Sequence, residues 1–500
     1  MSKCNPGVSG MSVYVPRPRV QLNEWCDWTG NSWPKVQTAV GNSFRRPAPY
    51  EDVYTMAATA VLRLILNYDI DPREVGLLAL GTETSKDNSA GAVIVRGMVD
   101  RGLEDLGRPR LSRRLEVPEF KHACLGGIYA LKNALRYVSC DGAGHKAIVV
   151  CSDVAEYERG SSGEQTQGAG AVAMLVEATP RLFEVDLDHA GSASAYRGPD
   201  FRKPFARHFL EGYPQRGARM HDFPVFNGKY STFAYLDATG QAVDAMLERL
   251  GMSGRDVLDA FGALFFHRPY HMMPVHGLSF LYVRALARSQ HDSEEFHELC
   301  RAAGVSPQTV IEECRLQPDL FGDLVARGVG TDAMQEPLAP YPATADVSAC
   351  ARKSTAFQTL LATRMSLGSD WARELGNLYT AALPAWLAAG FEQALDQDIE
   401  LADMQMLAVG YGSGDAAEAW PLRAVPSWRD AAARIGLRAA LSSPIDLSQR
   451  HYEALHDGDD SGFDCPAHEQ FVISRTGQTY APAFQDLGIE YYDFVNLARG

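Results

Sequence analysis

Five segments of the chain are apolar on both faces for five to seven residues, most of them bounded by Gly or small polar residues. They are VGLLALGTE (75–83), KAIVVCSD (146–153), GAVAMLVE (170–177), GALFFHRP (262–269) and MQMLAVGYGSG (404–414). Such runs read as strands covered on both sides, not as half-solvated ones. Between them, YTMAATAVLRLILN (54–67), GGIYALKNALRYVSC (126–140) and LDATGQAVDAMLERLG (236–251) place apolar residues at helical spacing, and the last ends at a glycine stop. Strands alternating with helices predict an α/β architecture with covered sheets. The acidic run HDGDDSGFD (456–464) reads as a surface loop.

At 500 residues the chain can hold two or three ordinary domains, or one large duplicated fold with a shared core. A hydrophobic content of 46% with 22% charged residues is that of a folded globular chain. No segment reaches the roughly 20 uninterrupted apolar residues of a membrane span. The opening MSKCNPGVSGMSVYVP lacks the basic-then-apolar order of a secretion signal, so a cytoplasmic location is expected. Nine cysteines without a CxxC pair suggest neither a disulfide framework nor a metal site, and leave room for one working thiol. A net charge of −15 argues against nucleic acid. A local basic cluster can still hold phosphates, and residues 201–221 contain Arg202, Lys203, Arg207, Arg216 and Arg219.

Three separated segments carry candidate chemistry. In KHACLGGIYALKNAL (121–135), Cys124 stands at the start of a predicted helix, whose partial positive charge and free N–H groups favour a thiolate and lower the thiol pKa. Gly126 and Gly127 leave space beside it. Alone, the segment also fits a buried structural cysteine. In LALGTETSKDNS (78–89), Glu83 follows a strand end, where α/β folds display reactive groups. It is either a general base with a raised pKa or a capping residue. In FFHRPYHMMPVHG (265–277), His267 ends another strand and can stabilise a developing oxyanion; nothing in the residues separates its role from those of His271 and His276. Asn377 lies in a Gly-Asn turn before a helix-like stretch, and the Gly412–Ser413 turn offers backbone N–H groups.

In this order, GTET (81–84), ACLGG (123–127), QGAGAVAML (167–175), HRPY (267–270), GNLYT (376–380) and GYGSG (410–414) resemble 3-hydroxy-3-methylglutaryl-CoA synthases of the thiolase superfamily. DFPVFNGKYS (222–231) resembles a further family stretch. The resemblance implies a five-layered αβαβα thiolase-like fold of two similar halves, 1–183 with Glu83 and Cys124, and 184–500 with His267, Asn377 and Ser413. It also implies a homodimer, no metal or permanently bound cofactor, and coenzyme A thioesters as substrates.

The resemblance assigns Cys124 as the acetylated nucleophile and Glu83 as the base that deprotonates the acetyl methyl. It assigns His267 to the acceptor, acetoacetyl-CoA. Asn377, Tyr379, Gly412 and Ser413 would orient substrate or form the oxyanion site, with Asp153 and Asp87 nearby. The basic residues of 201–221 would meet the CoA phosphates. Two departures stand out: Leu125 replaces the family's aromatic after the nucleophile, and no lysine follows HRPY. An alternative keeps the chemistry and changes the carrier, a polyketide β-branching synthase acting on groups bound to an acyl carrier protein. A decarboxylating ketoacyl synthase would pair the cysteine with two histidines, or with a histidine and an asparagine, where this chain has Glu83.

Overall fold

The computed structural model describes residues 5–204, 209–212, 223–253, 256–289, 293–459 and 462–496. The strands that build the site are β1 (Gly7–Tyr14), β2 (Val75–Gly81), β3 (Glu119–Phe120), β4 (Lys146–Ala155) and β5 (Gly168–Glu177), followed by β6 (Phe183–Val185), β7 (Gly191–Ser194), β8 (Ala263–Phe266), β9 (Gln405–Gly412) and β10 (Ala416–Ala424). All ten belong to one hydrogen-bonded sheet system, in the order β8-β9-β10-β6-β1-β5-β4-β2-β3, with β7 also on β10. Every residue of β1 and β2, and all of β5 but its last, is buried. That explains why these strands read as continuous apolar runs.

The order repeats. β2 pairs in parallel with β4, and β8 with β9. β4 pairs antiparallel with β5, and β9 with β10. β5 then meets β1 antiparallel, as β10 meets β6 and β7. The two sets join where Gly7 on β1 pairs with Glu184 on β6.

The helices repeat with them. Helix α1 (Val53–Asn67) lies between β1 and β2, α2 (Gly91–Asp105) after β2, and α3 (Gly126–Ser139) before β4; α4 (Gly228–Leu250) lies between β7 and β8, α5 (Met272–Ala287) after β8, and α6 (Ala382–Asp396) before β9. α1 packs on β1, β4 and β5, and α4 on β7, β9 and β10. α1 begins at a capping box in which Asp52 accepts from the backbone N–H of Tyr54 and Thr55 while Thr55 accepts from that of Asp52.

This duplication places the chemistry. Glu83 follows β2 as His267 follows β8, and Cys124 precedes α3 as Asn377 and Tyr379 precede α6. The starts of α3 and α6 meet, because Gly127 has no side chain: a carbon there would lie 3.0 Å from the Thr380 carbonyl oxygen. Two expected boundaries move. β8 stops at Phe266, where the His267 N–H turns to the Val409 carbonyl at 2.7 Å. α4 begins eight residues before the periodicity suggested, because buried Tyr230, Ala234 and Tyr235 hold its first turns against the protein. No helix among the described residues is long and apolar enough to cross a membrane.

Candidate active site

A cavity of about 1140 Å³ is lined by Glu83, Thr84, His122, Ala123, Phe201, Arg202, Lys203, Ser413 and Gly414, among others. Cys124, 8% exposed, is not part of this lining; it follows Ala123, which is, and lies in an apolar collar of Ala155, Tyr157 and Tyr379, with Phe201 and Phe226 packed around it. Ala123 takes φ +40°, a left-handed conformation that a non-glycine residue adopts at a cost. Cys124 therefore stands on a strained turn two residues before the first residue of α3.

Glu83 is equally buried, and one of its oxygens accepts from the Lys203 ammonium at 2.7 Å. The other, Oε2, has no well-formed hydrogen bond among the described residues. The Cys124 thiol lies beside this carboxyl, close enough for each group to shift the other's ionisation. Burial raises the Glu83 carboxyl above its usual range; Lys203 opposes this and the Asp153 charge adds to it. The Cys124 thiol is pushed well up as well, by burial first and then by the charges of Glu83 and Asp153. This reverses the expectation that the helix terminus would lower it. The field of a helix end fades within a turn, whereas two carboxylates and a dry wall act at contact range. At rest the sulfur is a thiol beside a carboxyl able to accept its proton.

Asp153 lies beneath, fully buried. One of its oxygens accepts from the Glu83 N–H at 2.9 Å, the Thr84 N–H at 3.1 Å, and the hydroxyls of Thr82 and Thr84 at 2.9 and 2.6 Å. The other accepts from the Thr380 N–H at 2.9 Å and the Thr380 hydroxyl. With both oxygens committed, Asp153 holds the loops that carry the site and has no oxygen left to touch substrate. Asp87 follows Lys86 of the cavity lining. It lies outside the cavity lining, and its carboxylate accepts from Ser89 and from the Ala90 N–H just before α2.

On the second half, His267 is 2% exposed, and burial pushes its imidazole down to about 3. Its ring lies 6.3 Å from that of Tyr411, which is near enough to Cys124 to feel its charge. The Tyr235 hydroxyl donates to the His267 carbonyl at 3.2 Å. Asn377 is buried, and its side-chain oxygen accepts from the Tyr379 N–H at 2.9 Å. The 410–414 turn reaches the loop that carries Cys124 at Gly412. A side-chain carbon there would lie 2.6 Å from the His122 carbonyl oxygen and 2.8 Å from the Leu125 nitrogen.

The N-terminal domain model of hydroxymethylglutaryl-coenzyme A synthases matches residues 3–180. The hydroxymethylglutaryl-CoA synthase of Haloferax volcanii is 26% identical over 459 residues, 90% of this chain and 91% of that protein. The chain is similar to hydroxymethylglutaryl-CoA synthases, over residues 3–180 by the domain model and over nine-tenths of its length in the Haloferax volcanii comparison. The fold agrees. A structure of MvaS in complex with 3-hydroxy-3-methylglutaryl coenzyme A superposes with a TM-score of 0.74 at 24% identity, over 98% of this chain and 99% of that one. The curacin-pathway HMG synthase in complex with acetyl donor-ACP gives 0.68 at 19% identity, over 98% and 100%. The architecture is thus the thiolase-like fold, helix and sheet layers alternating as αβαβα.

The basic segment divides. Arg202 lines the cavity, with its guanidinium 3.4 Å from the Gly198 carbonyl. Lys203 turns inward to Glu83. Arg207, Arg216 and Arg219 lie outside the described residues. Sequence reasoning missed Arg46, Lys86 and Lys121, which also line the cavity, and Tyr157 of the collar. Lys86 and Lys121 lie in the segments that carry Glu83 and Cys124 but drew no notice beside them, and Arg46 and Tyr157 are single residues in segments without a local signal.

Proposed function

We propose that this protein condenses acetyl-CoA with acetoacetyl-CoA to give 3-hydroxy-3-methylglutaryl-CoA and free CoA. The observation that carries this reading is the buried Cys124 thiol set beside the buried carboxyl of Glu83, which itself lines a cavity of about 1140 Å³. Glu83 takes the sulfur's proton as Cys124 attacks the acetyl carbonyl, and that proton leaves on the departing CoA sulfur. The thioester keeps the acetyl methyl acidic, and Glu83, again a carboxylate, removes one of its protons. The resulting carbon attacks the ketone of acetoacetyl-CoA. His267, uncharged, donates its one N–H to the oxygen that becomes negative, and the proton held by Glu83 neutralises it. Water then cleaves the Cys124 thioester, leaving a carboxylate on one end and the acceptor's CoA on the other.

The N–H groups of Cys124 and Ser413 would serve the donor carbonyl, since Gly412 seats the two turns together. Asn377 and Tyr379 would shape the acceptor side of the collar. The repeated strand order supports dividing the chain into halves 1–183 and 184–500. A cytoplasmic homodimer in a route to isoprenoid precursors is the setting the family suggests. The relative matched along nine-tenths of both chains is a CoA-type synthase, and this favours CoA over a carrier protein for the acceptor.

Mass measurement of the intact protein tests the reading. Acetyl-CoA alone should add one acetyl group, absent in Cys124→Ala, and acetoacetyl-CoA should then remove it with release of the six-carbon dicarboxylic thioester. Turnover of carrier-bound acetoacetate far faster than of the CoA form would replace the acceptor. No acetyl group on Cys124 would sink the proposal.

A further inference from the structure

The site holds two buried carboxylates, Glu83 and Asp153, beside a thiol, and Lys203 is the ammonium that the structure pairs with Glu83. The lysine is held there from several sides. Asp200, fully buried, accepts from the hydroxyls of Ser231 and Tyr411. Arg202 then pairs with Val225 through both backbone groups, at 2.9 and 2.8 Å. With its backbone so fixed, Lys203 lays its ammonium 4.4 Å from the centre of the Tyr379 ring and 5.5 Å from that of Phe201. Two aromatic faces and one carboxylate oxygen thus surround a charge whose side chain is 25% exposed. Reaching a phosphate at the cavity mouth would require leaving all three.

We infer that Lys203 is a positioning residue that keeps Glu83 ionised and aimed for removal of the acetyl-methyl proton, and is not a contact of the CoA phosphates. This rests on the reading of Glu83 as the base. A carboxyl buried without a cation takes up a proton and cannot act as a base near neutral pH, whereas a paired ammonium opposes that. Lys203 therefore matters most for the condensation step, which needs the carboxylate, and least for affinity toward acetyl-CoA.

The test compares Lys203→Met and Lys203→Arg with the wild-type full-length enzyme. Condensation is followed against pH by consumption of acetoacetyl-CoA, acetylation of Cys124 by mass, and folding by thermal melting. Loss of the cation should move the acid limb of condensation up by about 1–3 pH units. The rate near neutrality should fall about tenfold or more, with KM for acetyl-CoA changed by less than about threefold. Lys203→Arg should keep the limb near its wild-type position. An unmoved limb together with a KM for acetyl-CoA raised about tenfold would make Lys203 a phosphate contact and overturn the inference. Should Lys203→Met fail to fold, Lys203→Gln gives the same readouts. Glu83→Gln, run alongside, separates the two layers: condensation at the wild-type rate in that variant removes Glu83 as base, and the Lys203 inference falls with it.

Discussion

Asp153 accepts the main-chain N–H of Glu83 at 2.9 Å, from a position where its other oxygen accepts that of Thr380 at the same distance. One buried carboxylate thereby fixes the loop after β2 to the turn before α6. The first carries the candidate base, and the second follows Asn377 and Tyr379. The spacing between acid–base group and acceptor wall is set by a residue that touches neither substrate.

Asp153→Asn tests this coupling. The amide keeps the shape but presents an NH2 to one of the two donor sets, leaving buried N–H and hydroxyl groups unpaired. Melting temperature should fall, and condensation should drop by about a hundredfold through misplacement of Glu83. Unchanged kinetics with a lowered melting point would confine Asp153 to stability.

Glu83→Gln separates the two half-reactions. The amide preserves volume and can still accept from Lys203, but it cannot take a methyl proton. Condensation should fall by about 10²–10⁴-fold. Acetyl-Cys124 should still form, more slowly, and accumulate in the mass spectrum because the next step is blocked. A variant that condenses normally would show that the base lies elsewhere.

The pH profile follows from the same charges. Burial raises the Glu83 carboxyl, so its carboxylate form is lost as pH falls through a value above the ordinary 4.5. His267, held down to about 3, is neutral from pH 5 to 8 and contributes no limb there. The acid limb of condensation therefore belongs to Glu83. His267→Asn should lower the rate by about 10²–10³-fold and leave the limb where it was. A limb that vanishes in this variant would assign it to the imidazole.

The strands, and the places of the three candidate residues at element ends, were legible because each rests on a local signal. β2, β4 and β5 are buried on both faces, and Glu83, Cys124 and His267 stand where elements begin or end. What was not legible depends on long-range neighbours. The upward push on Cys124 comes from its burial first, and then from Glu83 and Asp153, distant in sequence. The inward turn of Lys203 depends on Tyr379 and Phe201. Asp153 reads as one more acidic residue at a strand end until its partners at 82–84 and 380 are known. The repeat itself is invisible to residue matching, since Glu83 and His267 occupy equivalent places with unlike chemistry.

Gly412 offers a test of how closely the two halves must fit. A methyl group there would meet the His122 carbonyl oxygen at 2.6 Å and the nitrogen and Cβ of Leu125 at 2.8 Å. These are mainly backbone atoms of the nucleophile loop and cannot swing aside as a flexible side chain would. Gly412→Ala should thus cost about 1–3 kcal/mol in stability. Separation of the turns should also slow acetylation of Cys124 at temperatures where the protein remains folded. Gly97→Ala is the control: an exposed glycine inside α2 with nothing within 4 Å of its added carbon. That change should raise stability by about 0.5–1 kcal/mol and leave acetylation untouched, because it removes only the entropic cost of a mid-helix glycine. If Gly412→Ala acetylates at the wild-type rate, the 410–414 turn does not set the position of Cys124, and the proposed pairing of the Cys124 and Ser413 N–H groups must be given up.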